Sequence, residues 1–291
     1  MLRSVTNERL EMSELGNKTV HNQIFAAWLV DIFGQKALRG GRGVVDIAGG
    51  LGLISFELSI RYGVPCTLVE PREVKLKGLT RRYGKKVHRN RTRALTDEGY
   101  KAAAAVAAVE GERSLMRFIQ SLFPTFKDDL VIDEKGVEKL NDEKTPPFHH
   151  IRSLYTWPLH DNGKEEEILS ALKEASVIVG MHSDGATENI LDAALALNKP
   201  FAVIPCCVFP KENPHRLFKE NNDGTITYYE TEAGEEDLGE FDLNEGQREE
   251  KKKGKVVTTT EEFIGFLKAK DASIHSAILP FMGRNTVLYR L

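Results

Sequence analysis

The chain has 291 residues, 41% of them apolar, with 40 basic against 43 acidic side chains and a net charge of −3. That length can bury one large core or two small ones, and no apolar run reaches the ~20 residues that span a bilayer. The first eight residues lack the apolar centre of a secretion signal, and three cysteines, two of them adjacent, make no disulfide framework; the expected setting is intracellular, cytoplasmic or nuclear, and reducing.

Residues 1–43 read as a helical lead-in, with Ile24, Phe25, Trp28, Leu29 and Ile32 on one face of a helix over 20–35. An apolar strand over 44–48 runs into the turn Gly49-Gly50-Leu51-Gly52, and a helix follows over 51–62. Gly63-Val64-Pro65 marks the return to a second strand over 66–70, which ends on Glu70, with a helix expected over 74–83. A β-α-β-α series of this kind implies parallel strands and right-handed crossovers. Residues 84–147 interrupt it as an insertion, alanine-rich and helical over 96–123 and then a charged linker over 127–144. The pattern resumes with a strand over 148–157, a helix over 165–174, a strand over 175–181, a helix over 187–197 with Thr187 as its cap, and a strand over 200–208. Residues 211–255 form a second, charged insertion with one edge strand near 225–229. Residues 256–291 give a helix over 261–270 and a hairpin, 274–281 and 286–290, around Met282-Gly283-Arg284-Asn285. The reading is a single α/β domain over 1–291 with a Rossmann-like sheet: five parallel strands closed by a C-terminal antiparallel hairpin.

Ligands of open α/β sheets bind beyond the carboxyl ends of the strands, so the residues just past each strand are the candidates. Gly49, Gly50 and Gly52 let the backbone approach a ligand closely, and Glu70 lies at the tip of the neighbouring strand to receive two ribose hydroxyls. A dinucleotide turn needs Gly-x-Gly-x-x-Gly, and here Ser55 stands at the last position. Asp46, just before the turn, would repel a pyrophosphate. It suits a sulfonium cofactor, and the expected cofactor is therefore S-adenosyl-L-methionine. An NAD(P)-dependent oxidoreductase is the alternative that the same turn allows.

Past the fourth strand come His182 and Asp184, the expected catalytic pair. A neutral imidazole takes a proton from a hydroxyl or amine near pH 7, and Asp184 orients it or positions the substrate; a helix cap is the plainer role for Asp184. Pro205, Cys206, Cys207 and Phe209 past the fifth strand read as a wall of the substrate pocket, with buried cysteines as the plainer alternative. Tyr155 and Trp157 are placed either around an adenine or in the core. No four-ligand zinc spacing is present, so no metal is expected.

Charge is patterned locally. From Arg72 to Arg93 ten basic residues stand against the single acid Glu73, either a nucleic-acid footprint or a solvated face. The stretch 230–250 is acidic and reads as a mobile surface insertion.

Three segments carry a family likeness: Val45-Asp46-Ile47-Ala48-Gly49-Gly50-Leu51-Gly52, Gly180-Met181-His182-Ser183-Asp184-Gly185-Ala186-Thr187, and Pro205-Cys206-Cys207. On these the chain resembles the class I S-adenosylmethionine-dependent methyltransferases. More narrowly it resembles a eukaryotic group that includes acceptor-stem tRNA 2′-O-methyltransferases and methyltransferase-like proteins. It departs from that group at Asp184, where cysteine is usual, and at Ala48, where glycine is usual. The likeness covers the core strands and neither insertion. It implies methyl transfer to an oxygen or nitrogen of a macromolecule, with RNA (tRNA or rRNA) favoured. A protein substrate, or a non-catalytic relative that binds RNA or a partner, stays open.

Overall fold

The computed structural model describes residues 18–74, 147–160, 163–230, 254–279, 281 and 283–291. Most of the 84–147 insertion, the helix over 96–123, the basic run beyond Val74 and the acidic stretch beyond Glu230 lie outside the described residues.

Seven strands form one sheet in the order β3-β2-β1-β4-β5-β10-β9. β1 (Val44–Ile47), β2 (Cys66–Val69), β3 (His149–Ile151), β4 (Val177–Met181) and β5 (Phe201–Ile204) run parallel. β10 (Thr286–Arg290) pairs antiparallel with β5, and β9 (His275–Ile278) pairs antiparallel with β10. The expected hairpin is therefore present at the sheet's edge.

The strands alternate between two apolar layers, as a period of two requires. Val44, Leu68, Val177, Val179, Ala202 and Ile204 face one layer. It is roofed by α1 (Lys18–Phe33) and α3 (Leu53–Arg61), with the short α2 (Gln35–Leu38) between them. Val45, Ile47, Val69, Ile178, Phe201 and Val203 face the other, covered by α4 (Glu165–Glu174), α5 (Ala186–Ala196) and α6 (Thr260–Ala269). α1 is buried without a break from Gln23 to Val30, so it is a core helix rather than an amphipathic cover. Its Trp28 meets Tyr289 of β10 edge-on at 5.1 Å. α6 starts on a capping box: Thr259 accepts from the Glu262 amide, and the Glu262 side chain accepts from the Thr259 amide.

Three expectations are corrected here. The third strand is three residues long rather than ten, because only residues 149–151 find partners on β2. Tyr155 belongs to the second apolar layer and Trp157 packs against it, which is the core placement rather than the one around an adenine. The fifth strand stops at Ile204, since Pro205 has no N–H to extend a ladder. The 211–255 insertion is more than a charged loop with one edge strand. β6 (Arg216–Glu220), β7 (Ile226–Glu230) and β8 (Lys255–Val256) build a second antiparallel sheet in the order β7-β6-β8.

That small sheet is fastened to the core by charge. Glu188 on α5, 6% exposed, receives Arg216 of β6 at 2.5 Å and Lys270, just past α6, at 2.7 Å. Lys270 also reaches Asp192 at 2.9 Å and pairs with Glu230 of β7. Arg216 donates to the Val208 carbonyl at 2.7 Å and lies over the Phe263 ring. No described helix is long and apolar enough to cross a membrane.

Candidate functional site

The strand order reverses direction between β1 and β4, and the carboxyl ends of β1, β2, β4 and β5 open on one edge. In an open parallel sheet this is the crevice where a ligand fits. Apart from Asp46, which lies within β1, the residues expected at the site follow the strands at this edge.

Asp46 belongs to β1 and is fully buried. Its Oδ2 accepts from the Ser55 hydroxyl of α3 at 2.9 Å, and its Oδ1 has no hydrogen-bond partner. Burial, helped by the nearby Glu70 and resisted by Ser55, pushes this carboxyl up from 3.8 to about 7. The turn is folded onto it. A Cβ on Gly49 would lie 2.4 Å from Asp46 Oδ2, so only glycine lets the backbone cross the carboxylate here. At Gly52, with φ +66°, a Cβ would meet Phe148 at 2.8 Å.

Glu70 stands just past β2, 2% exposed. Its carboxylate accepts from the Gly50 amide at 3.0 Å, so β1's turn and β2's tip are joined as the two-strand reading expects. The Arg72 side chain, 75% exposed, folds back and donates Nε to Glu70 Oε1 at 2.6 Å and Nη2 to Oε2 at 3.3 Å. Burial would raise the Glu70 carboxyl, but the hydrogen bonds and charge of Arg72 and the Gly50 amide outweigh it and hold it below its usual range. A ribose seated on Glu70 has to take the place of the Arg72 guanidinium. His150 Nε2 fixes the next link, 2.9 Å from the Glu70 carbonyl.

On the far side of the crevice, His182 and Asp184 leave β4 in left-handed backbone conformations, φ 52° and 48°. Asp184 is exposed, and its Oδ1 accepts from the Cys206 thiol at 3.2 Å. Burial and the Asp184 carboxylate push that thiol up to about 12, so it is a neutral donor and not a nucleophile. Thr187 does not cap α5; it lies inside the helix, fully buried, and donates to the Asp184 carbonyl at 3.0 Å and bonds Ser183 Oγ at 3.1 Å. The N-cap is Gly185, and no side chain caps it. Asp184 is therefore not spent on helix capping.

Past β5, Cys206 is buried, Cys207 half-buried and Phe209 37% exposed with φ 49°. Arg284 of the terminal hairpin brings Nη1 to 3.8 Å from Cys207 Sγ, which places it on this wall. Of five left-handed non-glycine residues among those described, four (Ala48, His182, Asp184 and Phe209) follow β1, β4 or β5 at this edge. Each such conformation costs ~1–2 kcal/mol, and strain of this kind gathers at functional sites. The sequence reading missed Arg72 as the partner of Glu70, although its place two residues past the strand-end carboxylate was a signal. It also missed the Asp184–Cys206 contact, which joins residues 22 apart. No family model matches this chain, and no curated protein or solved structure is significantly similar to it.

Proposed function

We propose that the chain is an S-adenosylmethionine-dependent class I methyltransferase acting on an oxygen or nitrogen of a macromolecule, with RNA as the acceptor. The observation that carries this reading is the acidic bracket around the glycine turn. Asp46 lies beneath Gly49 and Glu70 bonds the Gly50 amide, at the switch point of a sheet in which β10 alone is reversed. Two carboxylates disfavour a pyrophosphate and favour a cationic sulfonium nucleoside. Glu70 would hold the ribose hydroxyls in place of the Arg72 guanidinium, and Asp46, when ionised, would supply negative charge under the turn.

The acceptor approaches from the side of β4 and β5. His182 would take the proton from its hydroxyl or amine, and the cofactor, when bound, would supply the methyl group. Asp184, Cys206, Cys207 and Phe209 form the wall that holds the acceptor in place. Most of the rate then comes from alignment, as it does when two reactants are held in contact. RNA is favoured by the ten basic residues from Arg72 to Arg93.

The test is transfer of tritiated methyl groups from S-adenosylmethionine into a cell extract, with the product split by RNase and protease. The expected label is RNase-sensitive. Protease-sensitive label would keep the enzyme and replace the acceptor. Binding of a nicotinamide cofactor without binding of S-adenosylmethionine would overturn the reading, and cofactor binding without label from any extract would make the chain a binding protein.

A further inference from the structure

We propose that Asp184, Cys206 and Cys207 form a binding site for a zinc-like divalent cation. One ligand atom from each, two thiol sulfurs and a carboxylate oxygen, lies within 4.8 Å of the others. Cys206 Sγ and Asp184 Oδ1 are already 3.2 Å apart. Zinc binds sulfur at about 2.3 Å and carboxylate oxygen at about 2.0–2.2 Å, so tetrahedral ligands sit roughly 3.6–3.8 Å from one another. The three donors need only small side-chain rotations to reach that spacing. Two cysteine sulfurs, which give up their protons when a metal binds, together with one carboxylate select zinc over magnesium or calcium, which take oxygen ligands.

The local backbone is built to this arrangement. Asp184 is held at φ 48°, and its carbonyl is tied by the Thr187 hydroxyl at 3.0 Å. That aims an exposed carboxylate at the thiols instead of at the helix it precedes. The spacing of the chain conceals the site, because the cysteines are adjacent and the carboxylate arrives from another strand. With three protein ligands the fourth position stays open, as in catalytic rather than structural zinc sites.

Arg284 supplies the discriminating test. Its guanidinium lies 3.8 Å from Cys207 Sγ and repels a cation held there. The reduced full-length chain, stripped of metal by a chelator, is titrated with Co2+, and Zn2+ is then used to displace it. Expected are thiolate-to-cobalt charge-transfer absorption and the d–d bands of a four-coordinate ion, saturating at one equivalent. Asp184→Asn, Cys206→Ser and Cys207→Ser each weaken binding by at least about tenfold, since loss of even an outer partner of a metal ligand costs that much. Arg284→Ala tightens binding, a gain that misfolding does not produce. Absence of the thiolate band in the wild-type chain, or undiminished affinity in Asp184→Asn, overturns the proposal. The readout needs no methyl donor, so its failure and that of the methyltransferase reading are separate results.

Discussion

Two buried carboxylates, Asp46 and Glu188, show how differently this fold treats the same chemical group. Glu188 is answered by Arg216 and Lys270 at 2.5 and 2.7 Å. Although burial raises its pKa, those two cations outweigh it and hold the group below its usual value. Asp46 has one neutral donor, Ser55, and an oxygen with no partner, and its pKa climbs to about 7. The first arrangement spends charge on attachment: it locks the small sheet and the Val208 loop onto α5. The second leaves a buried oxygen without a partner under the glycine turn, which disfavours its charged form. A fully partnered carboxylate is what attachment requires, whereas an unpartnered one beside the glycine turn is what the proposed function uses.

The largest effect separates them at the architectural end. Arg216→Met keeps the bulk over Phe263 but leaves Glu188 short of a buried partner. Breaking one side of a buried pair costs ~3–5 kcal/mol, and denaturant unfolding at neutral pH should read a loss of that order. Because the Glu188 pKa is lowered, its stabilisation is present above the unfolded value of 4.5 and is lost on acidification. The penalty of Arg216→Met should therefore shrink as pH falls below that value. An unchanged midpoint at neutral pH would mean that the small sheet is not held by this pair.

Asp46→Asn should show the opposite sign. A carboxyl raised from 3.8 to about 7 binds its proton more tightly when folded, so stability falls as pH rises between those values. Removing the charge should leave stability near that of the wild type at pH 4 and raise it by roughly 1–4 kcal/mol at pH 8. The same variant should lose affinity for S-adenosylmethionine, whose sulfonium carries the positive charge, measured by calorimetry. A variant that is more stable at alkaline pH and a weaker binder is what a site carboxylate predicts. A less stable one would make Asp46 a structural partner of Ser55.

Glu70→Ala sharpens the contrast further, because Glu70 combines both roles. It ties the turn through Gly50 and is covered by Arg72. Hydrogen bonds to a charged group are worth ~1.5–3 kcal/mol, so cofactor affinity should drop about tenfold to a hundredfold. Arg72→Ala should move affinity the other way, since the ribose no longer competes with a guanidinium. Unchanged affinity in Glu70→Ala would remove the ribose from that strand tip.

The sequence disclosed what is local and hid what is distant. The glycine turn, Asp46, Glu70 and the core strands were legible because each is a short run whose pattern is its own cause. The terminal hairpin was legible from one turn between two apolar runs. The second sheet was not, since β6 reads Arg-Leu-Phe-Lys-Glu and carries its charge inward as well as outward. Arg216 and Glu188 lie 28 residues apart, and no periodicity announces such a pair. The length of β3 was overestimated because an apolar run extends a strand only where a neighbouring strand offers partners. At the site itself the sequence named His182, Asp184 and the cysteines correctly as strand-end residues. It did not pair Asp184 with Cys206, because that contact exists only once β4 and β5 lie in register.

The smallest effect concerns strain. Ala48 stands at φ 52° where the resembled family has glycine, and its amide is fixed to the Val69 carbonyl at 2.8 Å. An alanine in the left-handed region costs about 1 kcal/mol that glycine does not, partly offset by the greater freedom of glycine in the unfolded chain. Ala48→Gly should raise the unfolding free energy by up to ~1 kcal/mol, seen as a higher denaturant midpoint with an unchanged slope. Cofactor affinity should hold, because the turn's path is set by Gly49 against Asp46 and not by the Ala48 methyl. Asp184→Gly relieves the same kind of backbone strain, yet it removes the carboxylate that faces Cys206. If both variants gain stability and only Asp184→Gly loses site function, the strain after β1 is incidental and the strain after β4 is retained for its side chain. Loss of affinity in Ala48→Gly would instead place the methyl group itself among the contacts that shape the turn.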